Sequence, residues 1–408
     1  MSLKSFKTQL DPTTTQAESF VKWAHARTGV FNWARSMRKA GWERYGLRHT
    51  REDLDGMATE KKNRGGFGFD VQSPPRRVIF YAIKDCDRAF QNFFRRANKQ
   101  GKKPGYPKRK YKGDDMRFSV YGSDCKYFED AIGLPCLENP VSYEETGYVP
   151  TDADKYSRVT VSKDEDRWMV SVQCHVEMPI DPDRLRPEKE RPAAVALHPG
   201  VRVWLASQTL PREGGKHPME THALPIDRIF ELWSRQDRQH KALSRRQTGS
   251  SGWESMRHNL SKTSSKLANI REDKTHKSTS HFCYDVRPYH LLIQDWDMSY
   301  LMEHGLNGVQ RKVERKIKRR MQNANIGAIK SQLKYKAEWA EIDVLLIPEE
   351  VPVSRRCSKC GWIDEDLGGS PVFHCEECGY KVGREKNAIE NYWIEYEEGN
   401  TIHIEDLG

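Results

Sequence analysis

Two short cysteine pairs near the C-terminus constrain this chain more than any other feature. Cys357-Ser-Lys-Cys360 and Cys375-Glu-Glu-Cys378 are both Cys-x-x-Cys, both run into glycine, and lie fourteen residues apart. Each pair offers two thiolates from one tight turn. Four thiolates complete a tetrahedral Zn²⁺ shell and leave no position for water or substrate. The spacing predicts one structural zinc ribbon over residues 351–379 rather than a redox pair. The other five cysteines, Cys86, Cys125, Cys136, Cys174 and Cys283, are scattered and read as small buried hydrophobes.

The remaining pattern switches between helical and strand periods. Residues 5–11 predict a strand. The hydroxyls of Thr13, Thr14 and Thr15 predict a helix start. Phe20, Trp23, Ala24, Val30, Phe31, Trp33 and Ala34 then recur at helical spacing. Another helix opens at Ser73-Pro-Pro75 and carries Val78, Tyr81, Ala82, Asp85, Ala89 and Phe93, whose aromatics are expected in a core. Residues 116–180 turn to strand patterning, with Val159–Val161 and Trp168–Val172 flanking Lys163–Asp166 as a hairpin. Residues 181–192, rich in Pro and Arg, read as a linker. Strands follow at 193–197 and 203–207, then a charged helix from Pro225. A Gly/Ser break at 248–252 and a helix over 253–279 complete a helical hairpin. Residues 290–296 and 341–348 predict buried strands on either side of a helix at 309–340. The segment from Ile394 holds five acids and no Lys or Arg, and reads as a solvated terminus.

Charge narrows the partners. Lys and Arg number 68 against 58 Asp and Glu, a net charge of +10. The surplus is clustered: Arg95–Lys112 holds nine basic residues and no acid, and Arg311–Arg320 holds seven and one acid. Such blocks suit phosphate backbones, because each neutralised phosphate releases counterions. The sequence has no apolar run of about 18 residues, so no membrane span is expected. The N-terminus lacks an apolar signal segment, so a cytoplasmic protein is expected.

The strand Ala194-Val-Ala-Leu-His-Pro-Gly200 ends in a histidine and a Pro-Gly turn, where α/β folds present reactive groups. Four features then coincide. They are Val195–Arg202, Leu292-Ile-Gln-Asp295, Gln332-Leu-Lys-Tyr-Lys-Ala337, and the knuckles running into Gly383-Arg-Glu-Lys-Asn-Ala388. Phe90-Gln-Asn-Phe-Phe94 followed by Gly101-Lys-Lys-Pro-Gly-Tyr-Pro107 agrees with them. Over residues 5–393 or so the chain resembles the TnpB family, the transposon-encoded RNA-guided nucleases related to type V CRISPR effectors. The resemblance implies an α+β multidomain fold. Residues 1–12 and 113–188 would form a wedge β-barrel, with a helical recognition domain, 13–112, inserted. Residues 189–350 and 380–395 would form an RNase H-like RuvC α/β domain, interrupted by the four-cysteine zinc ribbon at 351–379. Residues 396–408 would be an acidic tail.

The resemblance also shows what has changed. Family members hold two Mg²⁺ ions with three carboxylates, which activate water and stabilise the leaving oxygen. The matching positions here are His198, Gln294 and Glu385. Imidazole is a poor Mg²⁺ ligand and Gln294 carries no charge, so one negative charge remains of three and no catalytic Mg²⁺ is expected. Asp295 would point to the opposite face from Gln294, and Asp297 shares the parity of Gln294. The implied protein is a cleavage-deficient RNA-guided DNA binder, most like the nuclease-dead TnpB-like repressors. Its partners would be a guide RNA and double-stranded target DNA, with one copy per ribonucleoprotein, in the nucleoid of a prokaryotic cytoplasm. Arg76, Arg77 and Lys84 fall where the family reads its flanking motif. Lys102, Lys103, Lys108, Arg109 and Lys110 would meet phosphates, as could Arg355 and Arg356 beside the ribbon. The alternatives are an active RNA-guided endonuclease with an atypical metal site, and a guide-free zinc-ribbon accessory protein of a transposon.

Overall fold

The computed structural model describes residues 2–97, 105–111, 115–177, 180–200, 203–295, 325–367 and 370–407. Lys102, Lys103, Asp297, the basic block 311–320 and the first half of the expected 309–340 helix lie outside the described residues. The chain divides into two compact units, 1–179 and 180–408.

In the first unit β1 (Ser2–Asp11) leads into helices α1 (Thr14–Tyr45), α2 (Arg51–Asn63) and α3 (Arg76–Ala97). The strands are β2 (Arg117–Tyr121), β3 (Lys126–Tyr127), β4 (Ala131–Gly133), β5 (Val141–Tyr143), β6 (Lys155–Asp164) and β7 (Arg167–Val176). Thr13 caps α1 in a reciprocal capping box with Gln16, satisfying donors that a helix start leaves orphaned. The seven strands make one antiparallel sheet in the order β2-β6-β7-β1-β5-β4-β3. Among the described residues the edge strands β2 and β3 do not pair with each other, so the sheet expected as a wedge β-barrel is an open ladder. Strands β3, β4 and β5 are only two or three residues long. The helices α1 and α3 pack on β2, which protects that edge. Phe20 and Trp23 of α1 meet Phe118 and Trp168 at ring separations of 5.1–5.5 Å, welding helix to sheet. The hairpin forms as expected, with Glu165 at φ 56 in its two-residue turn. Cys86, Cys174 and Cys283 are buried as expected. Cys136 is exposed instead, because it sits at φ 66 in the tight turn from Leu134 to Leu137.

The second unit contains β8 (Ala194–Pro199), β9 (Leu205–Leu210), β10 (Glu220–His222), α4 (Ile226–Ser244), α5 (Ser251–Ser280), β11 (His290–Gln294) and α6 (Ile326–Ala340). It continues with β12 (Asp343–Ile347), β13 (Val372–His374), β14 (Lys381–Gly383), α7 (Arg384–Glu397) and β15 (Ile402–His403). Six strands form one sheet in the order β10-β9-β8-β11-β12-β15. Its centre, β8, β11 and β12, is parallel, and β9, β10 and β15 are antiparallel additions. Alternation explains the two cores. Val195, Leu197, Leu291 and Ile293 face a cluster with α4, α5 and α6, whereas Ala194, Ala196 and Leu292 face one with α7. Gln236–Ser264 and Gln239–Asn259 contacts show that α4 and α5 run antiparallel, the expected helical hairpin.

Two expectations change here. Residues 181–192 are anchored rather than a free linker. Arg191 is buried, and its guanidinium donates to the carbonyls of Arg287, Pro288 and Glu341 at 2.7–3.1 Å. The acidic C-terminus is not loose either: Ile402 and His403 pair with β12 and Ile404 is buried, since β12 otherwise leaves an open ladder edge. Lys336, in the Gln332–Ala337 stretch, is also buried. Its Nζ donates to the His276 carbonyl and the Thr279 and Ser280 hydroxyls at 2.7–2.9 Å, where α5 passes into a π-turn at His281–Val286. Burial pulls its pKa down to about 8.

Candidate functional site

The four ribbon cysteines converge. Their sulfurs all lie within 4.8 Å of one another, with Cys357–Cys378 at 3.7 Å and Cys360–Cys375 at 3.5 Å. Ligands about 2.3 Å from a tetrahedral Zn²⁺ would sit about 3.8 Å apart, whereas a disulfide would need about 2 Å. The set therefore fits a metal ion. Each knuckle is shaped by its glycine. Gly361 and Gly379 take φ of 81 and 70, which lets their amides return to the carbonyls of Cys357 and Cys375. Burial opposes ionisation of Cys375, but the amides of Cys378 and Glu377 together with the Cys360 and Cys378 thiols outweigh it and bring its pKa down to about 7.

Helix α7 joins this cluster to the six-stranded sheet. One face holds Asn387 and Asn391, both fully buried, whose side-chain amides donate to the carbonyls of Val353 and Arg356. Asn387 also accepts from the Ser358 amide, and Glu390 accepts from the Ser358 and Tyr380 hydroxyls. The other face, Ala388, Ile389, Tyr392 and Trp393, packs on β8, β9 and β11.

Of the three positions the resemblance marks, His198 and Gln294 lie at one end of that sheet and Glu385 lies on α7. Extending the parallel register of β8 and β11 brings Gln294 level with His198. His198 is 4 % exposed, and its Nδ1 lies 3.2 Å from the Tyr392 hydroxyl, with the rings edge to face. The Gln294 backbone bonds to the same hydroxyl, and its side-chain amide donates to the Val351 carbonyl at 2.8 Å. Tyr396 meets His290 at the start of β11 and Tyr392 meets His198 at the end of β8, so α7 runs opposite to these strands. Glu385 lies seven residues before Tyr392, at nearly the same azimuth and about 10 Å further along, beyond the strand ends. It is half-buried. Asp295 faces the other way, as expected, and pairs with Lys330 of α6.

Burial, reinforced by the nearby Arg384 cation, drives the His198 pKa from 6.5 to about 3. His198 is therefore a neutral imidazole at physiological pH. An unfolded chain binds this proton below pH 6.5 and the folded chain does not until about pH 3. Stability should thus fall as pH drops through that window, by about 1.4 kcal/mol per unit from this group. Urea midpoints of wild type and His198→Gln from pH 7 to 4 check it: the variant should lose one proton's worth of acid sensitivity. Equal slopes would mean that His198 titrates normally.

The expected nucleic-acid contacts are spread over the first unit. Arg76, at the start of α3, is exposed. Arg77 pairs with Asp124 at 3.3 Å and lies 4.1 Å over the Tyr121 ring, and Lys84 lies 5.8 Å from the Tyr81 ring centre. Lys108 and Arg109 are exposed. Lys110 is tied down: its Nζ meets Asp115 at 2.9 Å and its backbone exchanges two hydrogen bonds with Asn32. Arg356 is engaged by Asn391 and Glu395, and Arg355 pairs with Glu365 at 2.6 Å. Sequence reasoning missed Tyr392 and the Asn387–Asn391 clamp. The spacing of 385, 388 and 392 on one helical line was available, but an aromatic on such a line reads as ordinary core. No helix among the described residues is long and apolar enough to cross a membrane.

Two segments and most of the length of the chain are similar to known proteins. Residues 327–392 match the Cas12f1-like TNB domain, and residues 1–46 match the IS605 OrfB helix-turn-helix domain. The chain is 25 % identical over 405 residues to "Putative RNA-guided DNA endonuclease InsQ" of Escherichia coli (strain K12), covering 95 % of this chain and 91 % of that one. It is 23 % identical over 392 residues to a "Putative RNA-guided DNA endonuclease" of Streptomyces pristinaespiralis, covering 95 % and 88 %. A solved structure of CasPhi-2 (Cas12j) bound to crRNA aligns at 10 % identity and a TM-score of 0.48, covering 97 % and 98 %. The two domain matches and the full-length relatives bear out the resemblance to the TnpB family.

Proposed function

We propose that this protein is an RNA-guided DNA-binding protein that does not cleave. One observation carries the reading: at the strand ends where a two-metal centre would need three carboxylates, His198 is held neutral and buried, Gln294 is an amide bonded to Val351, and Glu385 alone is acidic. Two Mg²⁺ ions need hard anionic oxygens, and this donor set does not fit them. Preservation elsewhere supports loss of cutting rather than general decay. The cysteine tetrad keeps metal-binding spacing, the Asn clamp is intact, and the central strands are fully buried. In this reading the tetrad holds structural Zn²⁺. The second unit's sheet, with its parallel centre and antiparallel flank, supports a RuvC-like scaffold that keeps its shape without its chemistry.

In the same reading a guide RNA supplies sequence by base pairing, and the protein reads a short flanking duplex, with Arg76, Arg77 and Lys84 as candidates and Lys102, Lys103, Lys108 and Arg109 on phosphates, whereas Lys110 is engaged by Asp115. The seven-stranded sheet is the wedge expected of residues 1–12 and 113–188, except that 180–188 fall in the second unit; 13–112 is the recognition domain, 189–350 with 380–395 the RuvC-like domain, and 351–379 the ribbon. The bound complex blocks RNA polymerase at a promoter. The test is a plasmid carrying a target matched to the co-purifying RNA. It should be bound and stay intact with Mg²⁺ or Mn²⁺. Linear product would restore the active-endonuclease reading, and protein free of RNA would favour a guide-free DNA binder.

A further inference from the structure

The end of α1 carries a feature that packing does not explain. Residues 42–48 are all exposed, and they include Trp42, Tyr45 and Leu47, which are 47 %, 71 % and 55 % exposed. The turn that presents them is built. Gly46 closes the helix at φ 66, its amide and that of Leu47 return to the carbonyls of Trp42 and Gly41, and the His49 ring lies against Gly41 so closely that an added Cβ would stand 2.8 Å from it. Such a helix end usually folds its apolar residue back onto the last turn. Here the large side chains face outward instead. Arg48 lies 5.1 Å over the Trp42 ring, and neither Arg48 nor Arg44 has a carboxylate partner among the described residues.

We propose that Trp42 and Tyr45, with Arg44 and Arg48, form a stacking platform for unpaired bases of an RNA, a proposal that rests on the guided reading. Charge decides between occupants. An apolar protein surface laid over Trp42 would bury the Arg48 guanidinium without a counter-charge, which is strongly unfavourable. A nucleic-acid strand gives the rings a base face and gives both arginines a phosphate. A paired DNA target keeps its bases stacked within the duplex, whereas RNA loops and ends offer splayed bases. The platform therefore fits an RNA loop better than the duplex.

The experiment uses the full chain and two probes: an RNA hairpin with 5-bromouridine in its loop, and a fully paired RNA of the same stem. Wild type should crosslink to the loop at Trp42 or Tyr45. Each aromatic→Ala substitution should weaken hairpin binding about tenfold. Paired RNA should bind wild type and the double variant alike. Both side chains are exposed, so the variants should keep the wild-type melting curve. Hairpin binding unchanged in a folded double variant, or crosslinks confined to other residues, would overturn the platform while leaving the guided reading standing. A wild type that binds neither probe and carries no cellular RNA would sink both.

Discussion

Replacing Cys375 with serine is expected to remove the bound metal and unfold residues 355–383, while the six-stranded sheet stays folded. The ribbon's own apolar core is small. Cys357, Leu367, Phe373 and Cys375 are its buried members, and two of these belong to the cysteine tetrad. Its sheet is one three-residue pair, β13 with β14. A hairpin of that size is marginal alone, so a metal held by the tetrad would supply most of its folding free energy, as binding does in zinc-finger peptides at about 10–16 kcal/mol. The serine variant should carry no stoichiometric zinc by elemental analysis, and chymotrypsin should cut between the knuckles, after Trp362 or Phe373, at rates near those of an unfolded segment. Trp393 and Tyr392 pack on the sheet side of α7, so the sheet's melting transition should shift by only a few degrees. Retained zinc with unchanged protease resistance would show that the tetrad is not a metal centre.

Restoring three carboxylates together, His198→Asp, Gln294→Glu and Glu385→Asp, is expected to create Mg²⁺-dependent cleavage of a guide-matched plasmid where wild type gives none. Single restorations should stay inert, because two metals need all three anions. His198→Asp alone should also destabilise the fold. It places a carboxylate at a position 4 % exposed, where the Tyr392 hydroxyl reaches only one of its oxygens and the nearby Arg384 cation offsets only part of the desolvation. Added Mg²⁺ should raise the melting temperature of the triple variant and leave that of His198→Asp alone unchanged. A triple variant that folds, keeps its RNA and its target affinity, and still leaves the plasmid whole would mean that more than charge has been lost at this site.

Local patterns foretold much of the fold because their signals are local. The capping hydroxyl at Thr13, the hairpin around Glu165 and the apolar strand before His198 each depend on neighbours within a few residues. The linker and tail readings failed for the opposite reason. Arg191 and Ile404 look like solvated residues until distant carbonyls at 287, 288 and 341, or the open edge of β12, supply their partners. Lys110 likewise reads as a phosphate ligand until Asp115 and Asn32 are brought to it.

The sequence by itself determined the chemistry available: four thiols at ligand spacing, and an imidazole, an amide and one carboxylate at three marked positions. Residue identity fixes charge and donor type whatever the fold. Only the tertiary structure decided what those groups experience. The packing of α7 against β8 buries His198 beside Tyr392 and Arg384, and a proton's affinity for an imidazole is set by the dielectric and charges around it, which no one-dimensional pattern encodes.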